Sequence, residues 1–203
     1  MERILEKQRL EAFSDGVIAI IITIMVLELK PPHEASFTAL AQLAPVFFSY
    51  VLSFAYIAIY WNNHHHLLQA SSHVTGRVLW ANVHLLFWLS LIPFASAWMA
   101  ENHFAGATVA VYGAALLAPA IAYSILSRML LKTHGPESTL ARALGVDVKG
   151  KISVLFYLLA IGLTFIDPRL SLAIYVLVAL MWLAPDPRIE RVLTDKRRSE
   201  AER

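Results

Sequence analysis

Three adjacent residues, Ser14, Asp15 and Gly16, interrupt the apolar stretch AFSDGVIAIIITIMVLEL near its beginning. Their carboxylate and hydroxyl can accept hydrogen bonds from a neighbouring segment, or they can cap a helix by binding its free N–H groups. The residues alone leave both roles open. Donors for the first role follow in the stretch YWNNHHHLL, which contains Trp61, Asn63 and His64.

The same apolar stretch has one uniform face if it is helical. At about 100° per residue, five side chains fall within about 60° of Ile20, whereas Asp15 lies about 140° away. The five are Phe13, Gly16, Thr23, Ile24 and Leu27, and together with Ile20 we call them the stripe. Apolar residues at this spacing more often pack against protein than line a pore, and a membrane threonine often bonds to the carbonyl four residues earlier, here that of Ala19. Periodicity alone therefore favours packing for the stripe.

Asp15 needs a partner if this stretch crosses a membrane. A charged side chain within a span normally turns toward the protein interior. We therefore expect Asp15 to face its own subunit, opposite the stripe, and to accept hydrogen bonds from Trp61 or His64, with Arg9 adding positive charge nearby. On this interpretation FSDG joins the first helix to its neighbours.

The histidines His64, His65 and His66, with His73 nearby, raise the question of a metal site. Consecutive residues of a helix point about 100° apart, so one ion cannot easily bind all three side chains. The chain has no cysteine, and phosphate loops, nucleophile elbows and paired catalytic carboxylates are absent from the sequence. We predict no metal site and no enzyme, and interpret the histidines as structural or pH-sensing.

Composition places the chain in a membrane. Of its 203 residues 58% are hydrophobic and 16% are charged, with a mean hydropathy of +0.58. Soluble domains contain about half apolar and about a quarter charged residues. The sequence therefore predicts an all-α integral membrane protein.

Six apolar stretches are candidates for spans, because a span needs about 20 mostly apolar residues. They cover residues 12–29, 37–60, 78–100, 102–127, 152–166 and 170–184. The last two are short and are separated only by DPR, so we predict a tight helical hairpin, with a re-entrant pair as the alternative. We assign residues 1–185 to one six-span domain and residues 186–203 to a basic cytoplasmic tail.

The distribution of Lys and Arg predicts the orientation, since these residues accumulate on the cytoplasmic side. With the amino terminus inside, 15 of the 17 Lys and Arg residues are cytoplasmic, and only Lys30 and Arg169 lie outside. Both termini are then cytoplasmic. The basic tail also carries Glu and Asp, which makes it a poor nucleic-acid-binding arm, so we expect no nucleic-acid partner.

These motifs resemble a known family. The R-x-x-x-F-S-D-G signature of the transmembrane protein 175 family, which comprises lysosomal and bacterial potassium channels, is matched by Arg9, Phe13, Ser14, Asp15 and Gly16. WNNHH from Trp61, AN at Asn82 and IPF at Pro93 are similar to its second and third spans. The specific motifs lie in the first hundred residues, while the last three spans agree in pattern only.

The resemblance implies a six-span subunit that assembles as a homotetramer, with the first helix of each copy lining a central cation path. It implies apolar constrictions at Ile20, Ile24 and Leu27 and a ring of hydroxyl groups at Thr23. It also implies a supporting network, which we assign to Arg9, Phe13, Ser14, Asp15, Gly16, Trp61, Asn63, His64 and Asn82.

We therefore expect a potassium-permeable cation channel of the plasma membrane, with a weak to moderate preference for K⁺ over Na⁺. Its partners would be further copies of itself, membrane lipids and potassium ions, and it needs no cofactor. No TVGYG filter occurs, so selection must come from another source: aliphatic rings and hydroxyl groups are available, and helix dipoles or carbonyls are the alternatives for selecting cations. The alternatives are a proton- or ion-coupled secondary transporter, which would use intramembrane acids, and a membrane scaffold without transport.

Overall fold

The computed structural model describes residues 2–138, 140–141 and 147–183, and the secondary structure within them is helical. The predicted basic tail, residues 186–203, lies outside the described residues. Eight helices are described: α1 (Glu2–Leu27), α2 (Phe37–Gln42), α3 (Ala44–Gln69), α4 (Gly76–Ser90), α5 (Ile92–Glu101), α6 (Gly106–His134), α7 (Val148–Leu163) and α8 (Pro168–Leu183).

Within the described residues, four helical stretches are long and apolar enough to cross a membrane. They are Glu6–Leu27, Ala44–Gln69, Gly76–Glu101 and Gly106–His134, the third of which comprises α4 and α5. Helix α8 is a shorter apolar helix, and α7 is equally short at 16 residues. The prediction of an all-α, multi-pass membrane protein is confirmed in this coarser form.

The second predicted span differs most from the structure. Ser36 caps a separate short helix, α2, by accepting a hydrogen bond from the amide of Ala39 at 3.1 Å. The chain then restarts as α3, whose first turn contains Pro45, a position where proline costs no helical hydrogen bond. Helix α3 continues to Gln69, well past the predicted end at Tyr60, because no glycine or proline interrupts residues 60–69. The three consecutive histidines are therefore helical.

Helices α6, α7 and α8 pack side by side, and Tyr175 bonds α8 to two neighbouring helices. The hydroxyl of Tyr175 on α8 donates to the carbonyl of Val109 on α6 at 3.3 Å, and the carbonyl of Tyr175 accepts from the hydroxyl of Tyr56 on α3 at 2.6 Å. A Cβ at Gly113 would overlap the Tyr175 hydroxyl. Helix α8 is thus bonded to both α3 and α6.

Buried hydroxyl groups connect α3, α5 and α6. The hydroxyl of Ser53 on α3 lies 2.9 Å from those of Ser96 on α5 and Tyr112 on α6. Polar groups that find partners inside a membrane protein avoid the cost of desolvation without a hydrogen bond. This cluster joins α3, α5 and α6 within the subunit.

Candidate functional site at the first helix

Helix α1 packs by one face only. Its buried side chains are Leu10, Ser14, Ile18, Ile21 and Met25, which follow one another at intervals of three or four residues. That spacing places them on one side of a helix. This face lies against α3 and α4.

The stripe occupies the other face of α1. Exposure reaches 58% for Ile20, 46% for Ile24 and 74% for Leu27. Phe13, Gly16 and Thr23 are exposed as well. The hydroxyl of Thr23 donates to the carbonyl of Ile20 at 2.9 Å, one residue nearer than the expected Ala19. The stripe therefore contributes no buried side chain to the core of the subunit. The structure does not support the interpretation that these residues pack against their own chain.

A buried chain of three polar side chains attaches α1 to its neighbours. The hydroxyl of Ser14 donates to the carbonyl of Leu10 at 2.8 Å, so its oxygen must accept the 2.9 Å bond from the amide nitrogen of Asn82 on α4. This fixes the orientation of the amide, whose oxygen then accepts from Nε2 of His64 on α3 at 2.6 Å. Ser14 and Asn82 are 0% exposed and His64 is 2% exposed. We call Ser14, Asn82 and His64 the anchor.

Asp15 lies beside the anchor, at the edge of the packed face. One oxygen of its carboxylate accepts a hydrogen bond from the indole nitrogen of Trp61 at 3.0 Å, and the ring of His65 stacks on Trp61 with centroids 5.9 Å apart. Asp15 is nevertheless exposed, which differs from the expectation that it turns into the subunit. The reason is geometric: Ser14 and Asp15 point about 100° apart, and the buried face is the one that carries Ser14.

Four residues of the predicted network, Arg9, Phe13, Gly16 and Asn63, have no side-chain part in the anchor or in the bond between Asp15 and Trp61. Arg9 is exposed, and a Cβ at Gly16 would meet no atom within 4 Å. Asn63 is half-buried, and its backbone carbonyl accepts from the hydroxyl of Tyr123 at 3.1 Å. The structure thus brings together Ser14, Asn82 and His64, and separately Asp15 and Trp61.

Sequence reasoning missed two features that the spacing carries. The series from Leu10 to Met25 at intervals of three and four marks the packed face of α1 directly. His65 follows Trp61 by four residues, the separation at which helical side chains meet. The prediction for α1 rested on the stripe and on Asp15, which occupy other positions.

The histidines diverge along α3 and its loop. His64 bonds to Asn82 and His65 stacks on Trp61. The ring of His66 lies edge to face with that of His65, with centroids 5.6 Å apart. Within the residues that the structure describes, no group of three or more His, Asp or Glu side chains converges on a point that could hold a metal ion.

Comparison with known proteins identifies the family. Residues 9–93 match the family described as endosomal/lysosomal potassium channel TMEM175. A protein of Chryseobacterium sp. named potassium channel is 52% identical over 93% of this chain and 98% of its own length. This chain belongs to the TMEM175 family. The resemblance found in the motifs is thereby confirmed, and with it the prediction of a channel family rather than an enzyme.

Two further TMEM175 relatives extend the comparison. A Streptomyces collinus protein named potassium channel is 31% identical over 87% of this chain and 91% of its own length. The crystal structure of a homologue of the lysosomal potassium-selective channel TMEM175, from Chamaesiphon minutus, is 29% identical and superposes with a TM-score of 0.77. It covers 88% of this chain and 96% of its own. The likeness therefore extends beyond the first hundred residues, where the motifs lie, into the helices that agreed in pattern only.

Proposed function

We propose that the chain is one subunit of a potassium-permeable cation channel of the plasma membrane, in which four copies surround a pore lined by α1. The names of the TMEM175 relatives support potassium as the permeant ion. The observation that carries the proposal is the exposed stripe on a helix whose other face is fully packed. One helical face cannot enclose a hole, so the copies must be arranged around a closed symmetry axis.

The order of the stripe residues supports a hydrophobic gate. Four residues of a helix rise about 6 Å, so Ile20 and Ile24 form rings on successive turns, and Leu27 adds a third ring one turn further. Rings of aliphatic side chains close a pore to ions by excluding water. Thr23 lies between the first two rings. Because its proton is donated to the Ile20 carbonyl, the lone pairs of its oxygen remain available to a passing cation.

This arrangement predicts a weak to moderate preference for K⁺ over Na⁺. A hydroxyl ring replaces only part of the hydration shell of an ion, and less dehydration work is needed for the larger K⁺ ion. The pore has no acidic ring, since the stripe contains no Asp or Glu. Selection therefore depends on the size of the rings and on Thr23.

The anchor gives α1 a fixed seat in this proposal. Its three buried side chains hold α1 to α3 and α4. The bond between Asp15 and Trp61 supports the same part of α1, near its middle, from the exposed side. Phe13 and Gly16 continue the stripe toward that end, with Gly16 widening the path where no Cβ projects. Asn63 contributes through its backbone carbonyl, which accepts from Tyr123 on α6, and Arg9 lies exposed on α1 before Ser14.

We further propose six spans with both termini cytoplasmic, α7 and α8 forming the fifth and sixth. The distribution of Lys and Arg supports this orientation. Hydrogen bonds of Tyr175 to α3 and α6 support a hairpin that crosses with its neighbours, since they place α8 alongside helices long enough to span.

Recordings from purified protein in planar bilayers test the function. Unitary current steps under a potassium gradient are expected, and they require a channel. Ion flux that saturates without current steps would indicate a coupled transporter, and neither flux nor current would indicate a scaffold. Either of the latter results would overturn the proposal.

Cysteine labelling tests the placement of the stripe independently. The chain contains no cysteine, so a single Leu27→Cys replacement introduces a unique thiol. If α1 surrounds an axis, oxidation crosslinks Leu27→Cys subunits to dimers, and a water-soluble thiol reagent reduces the current. Leu180→Cys, which is also exposed but lies on α8, is the matched control and should do neither. Equal behaviour of the two variants would remove the stripe from the pore.

A further inference from the structure

His134, the last residue of α6, ties that helix to the loop between α3 and α4. Its Nε2 atom lies 3.0 Å from the backbone nitrogen of Ser72 and 3.4 Å from that of His73. Its Nδ1 atom lies 2.9 Å from the carbonyl oxygen of Leu130. Each ring nitrogen of His134 thus has a fixed backbone partner.

These partners permit only one protonation state. A carbonyl accepts and never donates, so Nδ1 of His134 must carry the hydrogen that it gives to Leu130. The amides of Ser72 and His73 are donors, so Nε2 must present its lone pair to them. A doubly protonated ring would direct an N–H group at two other N–H groups. The link therefore exists only while the imidazole is neutral.

The surroundings of His134 do not stabilise a positive ring. The ring of His73 lies against it, with centroids 4.6 Å apart. Within the described residues, no carboxylate lies within ion-pairing distance of His134. Besides tyrosines, the charged and titratable side chains on the elements that meet there are His64, His65 and His66 on α3, His73 in the loop, Arg77 and His84 on α4, Arg128, Lys132 and Glu137 at the end of α6, and Asp147, Lys149 and Lys151 at the start of α7.

We propose that His134 and the amides of Ser72 and His73 form an acid-sensitive latch, which is closed when the ring is neutral and released when it is protonated. Histidine is the side chain that ordinarily changes charge between about pH 5 and 8, which is why the ring of His134 can serve as a switch between these two states. The latch is stable at the alkaline end of this range and is lost as the pH falls.

The position of the latch connects it to the anchor. The loop that it holds begins directly after α3, which carries His64, and leads into α4, which carries Asn82. Release removes the hydrogen bonds between this loop and α6, while the bonds of Asn82 to Ser14 on α1 and to His64 on α3 remain. Resting on the proposed channel function, the inference is that cytoplasmic acid changes open probability by altering the seat of α1.

Hydrogen exchange tests the latch without requiring any current. The protection of the Ser72 and His73 amides, corrected for the pH dependence of intrinsic exchange, should fall about fivefold for each lost hydrogen bond when the pH is lowered from about 8 to about 5.5. His134→Gln retains an acceptor oxygen at the reach of Nε2 but cannot be protonated, so its protection should stay constant. His103→Gln removes an exposed histidine from the α5–α6 connection and should behave as the unmodified protein does.

Single-channel recording at varied cytoplasmic pH tests the regulation. The unmodified channel and His103→Gln should change open probability by about threefold or more across the same range, and His134→Gln should not. Constant amide protection in the unmodified protein would overturn the latch, whether or not current is seen. Acid-dependent protection with pH-independent current would overturn the regulatory link alone. Acid-dependent protection in a protein without any current would support the latch and overturn the proposed channel.

Discussion

The amide of Asn82 donates to the hydroxyl of Ser14 at 2.9 Å in a position where both side chains are fully buried. This single bond joins α1 to α4, and through the amide oxygen it extends to His64 on α3. A buried polar group costs free energy unless it is paired, so the three residues depend on one another. The position of α1 in the subunit is therefore specified by these polar contacts in addition to apolar packing.

Replacing Asn82 with leucine should destabilise the subunit by about 2 to 4 kcal/mol, because it leaves a buried acceptor at Ser14 and a buried donor at His64 without partners. Thermal unfolding of the purified protein measures this loss. Asn102→Ala, which removes an exposed amide bonded to the carbonyl of Trp98, is the control and should change stability by less than about 0.5 kcal/mol. Equal effects of the two replacements would mean that the anchor carries no special weight.

The bond between Asp15 and Trp61 can be measured by a double-mutant cycle. Asp15→Ala, Trp61→Phe and the double variant should show a coupling free energy of about 1 kcal/mol, at the low end for a charged hydrogen bond because both side chains are partly exposed. The readout is the fraction of assembled oligomer recovered on heating in detergent. Strictly additive losses would mean that Asp15 and Trp61 do not stabilise one another.

Thr23→Val should alter the ratio of K⁺ to Na⁺ permeability by about threefold or more, since each subunit loses one oxygen that can replace water around the ion. Reversal potentials under bi-ionic conditions give the ratio. Ser90→Ala on α4 removes another exposed hydroxyl that donates to its own helix, here to Phe87, and should leave the ratio unchanged. If Thr23→Val also leaves it unchanged, Thr23 does not contribute to selection.

Ile24→Asn should wet the constriction and raise the current through the closed channel about tenfold, because an amide makes water more stable in a narrow ring by about 1 kcal/mol or more. Val26→Asn is the matched control: Val26 is as exposed as Ile24 and lies two residues further on the same helix, but outside the stripe. A larger leak from Val26→Asn than from Ile24→Asn would place the water path on another face of α1.

The sequence predicted the stripe of α1 and offered Trp61 as one of two donors to Asp15, because helical periodicity and equal depth at one membrane boundary are local properties. It did not predict that Asn82 bonds Ser14 to His64. That arrangement requires three helices to meet at one depth and rotation, and such a meeting depends on how α1, α3 and α4 pack rather than on any one of their sequences. The extension of α3 through His66 was missed for a simpler reason: polar residues suggested water, although nothing among them ends a helix.

Tyr175 determines the position of α8 relative to α3 and α6. Its hydroxyl is bonded to Val109 and its carbonyl to Tyr56, so the position of this short helix along α3 and α6 is set by contacts with protein. A helix of 16 residues measures only about 24 Å, less than the hydrocarbon thickness of an average bilayer. In the proposed six-span arrangement the surrounding lipids therefore adjust to α8, and the bilayer is locally thinner where the pair of α7 and α8 crosses it.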